Sequence, residues 1–309
     1  MTPDMTVLAA PLPPVAAAPA VAPAPTLKIC DDLDQARRKG PLQTIRVPPC
    51  PEALAKLQQL LKEPEPDLTA VGTIADGDVA MSATLIRRAN SPLFTAGAPV
   101  TTVGQAMNRL GLHETVRLMT SVAVQGAVPT SSRHLKRFWE LSARRAAAMG
   151  YIATQLPGMA TDQAHTYGLF CHVGMPVMMQ CVKDYGGTIV EGEARIDRSF
   201  VATENINHKT DHAVVGALVC RTWHLAPTLV AAVRLHHDLP TLGDHGIEPE
   251  VHTLVAAGLI AEHLLRRIEC LPADREWKDH RAAAMKWLAI EDADLEAWEP
   301  EIQKVFDTL

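Results

Sequence analysis

Aromatic residues are scarce in this sequence of 309 residues, where five Phe, five Trp and three Tyr make up 4% of the chain. Basic charge is also in short supply, with 29 Lys and Arg against 35 Asp and Glu and a net charge of −6. Tight non-specific binding of nucleic acid rests on neutralising phosphates with Lys and Arg, so this balance excludes it as the leading function. No stretch approaches the roughly 18 uninterrupted apolar residues that a membrane-spanning helix needs. Phosphate-cradling loops of the G-x-x-x-x-G-K-[ST] or G-x-G-x-x-G type are missing. The six cysteines are Cys30, Cys50, Cys171, Cys181, Cys220 and Cys270, with no C-x-x-C pair among them. They read as reduced thiols of a cytoplasmic protein rather than a disulfide framework. The opening MTPDMTVLAAPLPPVAAAPAVAPAP has an acid where a signal peptide carries bases, and prolines interrupt each apolar run.

Seven prolines and eight alanines dominate the first 25 residues. Pro removes backbone donors and Ala offers little area to bury, so residues 1–30 are expected to be a disordered arm, a tether or a docking segment. From about residue 40 the apolar spacing is helical almost without break. Pro51 opens a segment with Leu54, Leu57, Leu60 and Leu61 on one face, while Asp67, Asp78 and Thr102 are placed to cap the helices that follow. Gly111 is a natural stop. A long helix is expected at about 134–156, and others at about 200–208, 211–223, 227–237, 249–268, 278–289 and 294–307. The stretch 184–199, DYGGTIVEGEARIDRS, is the one ambiguous region, rich in glycine and strand-like. Sustained strand alternation is absent, so the fold class is all-α.

Several segments then resemble one family in order and spacing. Ala89-Asn90-Ser91, the loop to Thr102 and Leu110-Gly111 look like the hallmark of the HDOD family, the HD-related output domains of bacterial signalling proteins. Val47-Pro48-Pro49-Cys50-Pro51 fits its proline-rich entry, and Asp78 its helix-opening acid, although Val79 stands where a Pro usually follows. Phe138-Trp139-Glu140-Leu141-Ser142, the run GLFCHVGMPVM at 168–178, Glu204 with Asp211 to Gly216, and Trp223 with Ala231 to Asp238 continue the match to about residue 240. The resemblance implies a two-lobed helical HDOD domain over 40–245, with lobes of about 40–128 and 134–245. A C-terminal helical extension, 246–309, is expected to pack on it.

Active HD phosphohydrolases hold metal through a His, a His-Asp pair and a later Asp, and the ion supplies hydroxide from a bound water. Carried over one at a time, those positions fall on Leu141, Cys171, His172 and Gly258. None keeps its ligand, and no carboxylate remains, so no catalytic residue and no metal or other cofactor is expected. His212, His236 and His237 survive near the same cavity. They are read as hydrogen-bonded remnants of a lost site, with one of the adjacent pair His236 and His237 facing inward because neighbours on a helix project about 100° apart. The second reading joins Cys171, His172, His212, His236 and His237 in a zinc or iron site.

Asn90 and Ser91 suit a helix end that fixes the 92–101 loop, and Phe94 in that loop is a candidate anchor for a partner if exposed. The expected function is a non-catalytic signal-transduction regulator working through contacts with other signalling proteins, with a homo-oligomer left open. Its rivals are a metal-dependent HD-type phosphohydrolase or phosphodiesterase, and a module that senses a nucleotide without cleaving it.

Overall fold

In the computed structural model, residues 25–94, 97–130, 132–195 and 197–307 are described, Pro41 by its backbone alone. All regular structure among them is helical. The first lobe holds α2 (Glu52–Leu60), α3 (Leu68–Asp76), α4 (Val79–Ala89) and α5 (Val103–Ala127), preceded by α1 (Pro25–Arg38). The capping residues read from the sequence do what their chemistry predicts. The Asp67 carboxylate accepts from Thr69 N, Asp78 from Ala80 N and Met81 N, and Thr102 Oγ1 from Gln105 N. Each satisfies donors that the first helical turn leaves without a partner. Gly111 interrupts α5 at φ 78° and ψ 168°, a backbone region open essentially to glycine, and the helix resumes beyond it.

The second lobe contains α6 (Phe138–Gln155), α7 (Thr161–Phe170), α8 (Gly174–Cys181), α9 (Tyr185–Ala194), α10 (Phe200–His208), α11 (His212–Thr222) and α12 (Pro227–Leu235). The ambiguous stretch around 184–199 is therefore helical where α9 crosses it. One of its glycines serves packing: a Cβ on Gly192 would stand 2.7 Å from the Phe200 ring. Trp223, fully buried at the end of α11, donates from Nε1 to Pro48 O at 2.9 Å and meets Phe170 edge-on. That bond ties the proline-rich entry segment to the second lobe.

One expected boundary shifts. Residues 1–24 of the anticipated arm lie outside the described residues, but 25–30 are not an irregular arm: they form the start of α1. Pro25 occupies the first turn, where its missing N–H is harmless, and Cys30 and Leu33 are buried where α1 packs on α11 and α12. Thr26 donates through N and Oγ1 to Glu248, and Asp34 pairs with Arg221 at 2.9 Å. At the other end, α13 (Pro249–Ile268), α14 (Arg275–Leu288) and α15 (Asp292–Phe306) follow. They lie against the domain: α13 buries Val251, Leu254, Ile260, Leu264 and their neighbours, and packs on α6 and α12.

The adjacent arginines of this chain are largely claimed by its own acids. Arg145 is buried and pairs with Glu262 at 2.9 Å, Arg144 pairs with Glu140 and Glu269, and Arg267 with Glu299.

Two histidines away from any site make the fold acid-sensitive. Burial, helped by Arg117 and opposed by Asp162, pulls the His165 imidazole down to about 4 from an ordinary 6.5. His263, stacked on Trp277 at 3.7 Å, is also lowered to about 4, by desolvation and then by three nearby arginines. Below pH 6.5 the unfolded chain takes up protons that the native state refuses, so stability falls as pH drops from about 6.5 towards 4. His165 alone accounts for roughly 3 kcal/mol of that loss. Urea unfolding at pH 7.0 and 5.0 checks this, and His165→Gln should shrink the difference without abolishing it; an unchanged difference would refute the assignment.

Candidate functional site

The run at 168–178 folds as two helices joined by a turn at Cys171, His172 and Val173, because two glycines there permit backbone contact that a side chain would block. A Cβ on Gly168 would lie 2.8 Å from the Arg145 carbonyl oxygen, and one on Gly174 only 2.0 Å from that of His212. The first glycine seats α7 on α6. The second lets the N-terminus of α8 touch the N-terminus of α11, and so places the His172 turn beside His212, the first residue of α11.

His236 and His237 reach the same place from the end of α12. The sequence reading sends only one of them inward; the structure brings both. The helix ends at Leu235, so the rotation of about 100° between helical neighbours no longer governs the pair. Ring centres of His172, His212, His236 and His237 stand 4.0–5.8 Å apart. One ligand atom from each lies within 4.8 Å of the others, the one such group of His, Cys, Asp and Glu found among the described residues.

Cys171 does not join them, contrary to the five-residue zinc or iron reading. Its sulfur is not among the ligand atoms that converge there; the side chain is buried, and desolvation, opposed by Arg145, pushes the thiol up to about 12. Leu141 packs half-buried against the core, as an apolar residue should. At Gly258 a Cβ would stand 2.7 Å from the Tyr167 hydroxyl, so the tyrosine occupies space that an acidic side chain would need.

Each of three histidines is oriented from behind. His212 Nδ1 lies 2.7 Å from Glu204 Oε2, His237 Nδ1 lies 2.7 Å from Glu276 Oε1, and His236 Nδ1 lies 2.7 Å from Val233 O. Glu204 is fully buried and also accepts from the Tyr185 hydroxyl at 2.5 Å and from His212 N at 3.3 Å. Burial, and then Glu204, hold the Tyr185 phenol well above its ordinary pKa, so it remains a donor. His236 and His172 are driven well below the usual imidazole value, first by desolvation and then by surrounding positive charge. His237 rises above it although burial opposes the change, because Glu276 faces it.

Sequence reasoning noted Glu204 only as part of a family pattern and passed over Glu276 altogether. Glu276 belongs to α14, 39 residues beyond His237, and no local spacing marks it as a partner.

Asn90, Ser91 and Phe94 sit apart from this cluster, in the connection between α4 and α5 of the first lobe. Asn90 clamps that connection: its side-chain amide donates to Val100 O and its carbonyl accepts from Val100 N, each at 2.9 Å. Phe94 is not the exposed anchor expected; it packs half-buried, with the Arg88 guanidinium 5.2 Å over its ring. Arg88 is in turn held by Glu114 at 3.0 Å.

A site for metal-dependent hydrolysis holds hard divalent ions through carboxylate oxygens as well as imidazole nitrogens and keeps a position open for water. The cluster does not fit that role. Its four ligand atoms come from imidazoles, and the carboxylates of Glu204 and Glu276 are turned to the outer nitrogens.

Comparison with known proteins agrees with the helical architecture. A protein of Shewanella amazonensis SB2B, named as a candidate phosphohydrolase, superposes with a TM-score of 0.64 at 22% identity, over 92% of this chain and 95% of its own. One from Marinobacter aquaeolei VT8, named as a candidate signal-transduction protein, gives 0.71 at 17% identity over 94% and 66%. An HDOD domain protein of unknown function from Geobacter sulfurreducens gives 0.64 at 18% identity over 91% and 97%. At these identities the likeness is one of fold. An uncharacterized protein of Treponema pallidum (strain Nichols) is 23% identical over 223 residues, which are 71% of this chain and 42% of that relative's length. No helix is long and apolar enough to cross a membrane among the described residues. The HDOD domain family matches residues 47–239, more than half of the chain, and the protein belongs to that family.

Proposed function

We propose that the protein is a non-catalytic signalling module, which acts by binding other signalling proteins rather than by hydrolysing a phosphate ester. The observation that carries this reading is the donor set at the helix junction. Where an HD hydrolase needs carboxylate ligands, this chain presents imidazoles, and Tyr167 fills the space beside Gly258. Two helical lobes joined through a buried core offer a body whose arrangement a partner can bias. The family, and a fold shared with a candidate signal-transduction protein, fit that role.

The full chain, incubated in turn with Mg²⁺, Mn²⁺, Fe²⁺ and Zn²⁺, is expected to release no product from cyclic dinucleotides, nucleoside triphosphates or p-nitrophenyl phosphate beyond the metal-only blank. Turnover that disappears in His236→Ala would overturn the reading in favour of a phosphohydrolase. A thermal shift with cyclic dinucleotides near millimolar concentration separates the nucleotide-sensing rival. Ligand at 100 times its Kd adds about 2.7 kcal/mol of stability, so an unmoved transition dismisses that rival.

A further inference from the structure

The hydrogen bonds behind the histidines determine what faces the centre. Carboxylate and carbonyl oxygens only accept, so the Nδ1 atoms of His212, His236 and His237 each carry the proton. In the neutral rings each Nε2 is therefore a bare lone pair. His212 Nε2 and His237 Nε2 stand 3.1 Å apart, and His236 Nε2 is buried with no hydrogen-bond partner. Two lone pairs at that distance repel unless something positive lies between them. One extra proton would bridge His212 and His237, but it would leave His236 Nε2 buried and unsatisfied. A cation at the common centre satisfies all of them, with His172 as the fourth donor.

We propose that His172, His212, His236 and His237 bind one borderline divalent transition-metal ion of the zinc class in a closed, non-hydrolytic centre. Four nitrogen donors without an oxygen suit zinc, cobalt or nickel and discriminate against magnesium and calcium. Four protein ligands complete a tetrahedron, which leaves no position for a reactive water and distinguishes the centre from a hydrolytic one. Carboxylates behind the ligating imidazoles are the arrangement that fixes tautomer and ring angle in metal centres. Glu204 and Glu276 together balance a charge of 2+, and Glu262 answers the nearby cation Arg145 at 2.9 Å. The ligands come from the turn between α7 and α8, from α11 and from the end of α12, and the two carboxylates from α10 and α14. Binding would therefore lock four elements of the second lobe to α14. The proposal does not rest on the signalling reading, since a closed metal centre is compatible with any function except hydrolysis at that ion.

The test is titration of the untagged full chain with Co²⁺ after dialysis against chelator, followed by visible absorption. Saturation at one equivalent with the intense bands of tetrahedral cobalt is expected, with displacement by Zn²⁺ and no competition from excess Mg²⁺. Two variants locate the site. His172→Ala, at a half-buried turn position, should weaken cobalt binding at least 100-fold. Glu276→Gln, which touches no metal, should weaken it roughly 10- to 100-fold. Far-ultraviolet circular dichroism verifies that both are folded. A folded wild-type chain without saturable uptake, a weak octahedral spectrum, or uptake indifferent to both variants would each overturn the proposal. Phosphate-ester hydrolysis is read separately, by the turnover assay.

Discussion

Gly174→Ala is expected to unfold this protein at a temperature roughly 6–10 °C lower than the wild type, a loss of about 3 kcal/mol. The added methyl would lie 2.0 Å from His212 O, 2.7 Å from Gly216 N and 2.8 Å from His212 C, all backbone atoms that cannot rotate away. Relief requires α8 to lift from α11, and the surfaces that separate include the fully buried Val173, Val215 and Val219. The same movement draws the His172 turn away from His212, so the variant should lose cobalt uptake as well as stability. Gly187 supplies the control. It lies in α9 with nothing within 4 Å of its absent Cβ, and alanine there should be neutral or gain a few tenths of a kcal/mol from helix propensity. Thermal melts of both variants decide the matter. A Gly174→Ala melt within 2 °C of the wild type would show that the close approach of the two helices is not needed.

Glu204→Ala should cost about 4 kcal/mol, because one buried carboxylate serves three donors. The Tyr185 hydroxyl, His212 N and His212 Nδ1 all point at it, and Glu204, His212 and Tyr185 are each at most 1% exposed. Truncation strands these donors together, and each unsatisfied buried group carries its own desolvation penalty of about 1–3 kcal/mol. Two further variants separate this account from simple loss of volume. Glu204→Gln keeps the shape and an accepting oxygen, and should recover roughly half of the stability. Tyr185→Phe should cost less in the Glu204→Ala background than in the wild type, since one of the stranded donors is then gone. Additive effects in urea unfolding would mean that the hydroxyl and the carboxylate do not depend on one another.

The features that were legible in the sequence are those settled within a few residues of chain. Asp67, Asp78 and Thr102 cap because a short oxygen-bearing side chain reaches amides two or three positions ahead, whatever packs above. The long helix at α6, and the helices at α13 and α15, follow from apolar spacing that only a helix can bury on one side. Where packing overrides local preference the reading failed. The glycines of α9 left 184–199 ambiguous and strand-like, yet the segment is helical and Gly192 is small because Phe200 lies against it. Phe94 looked like a surface anchor until Arg88 covered it.

By itself, then, the sequence determined an all-helical chain, its caps and its membership of the HDOD family, since periodicity and short ordered motifs are properties of the covalent chain. The tertiary structure alone decided that His236 and His237 both turn inward, that Cys171 stays out of the cluster, and that Glu204 and Glu276 stand behind the imidazoles. Those outcomes depend on where α12 ends, on how closely Gly174 lets α8 approach α11, and on the path of α14 back to residue 237. Such distances are set by packing between segments far apart in the chain, and no spacing within any one segment encodes them.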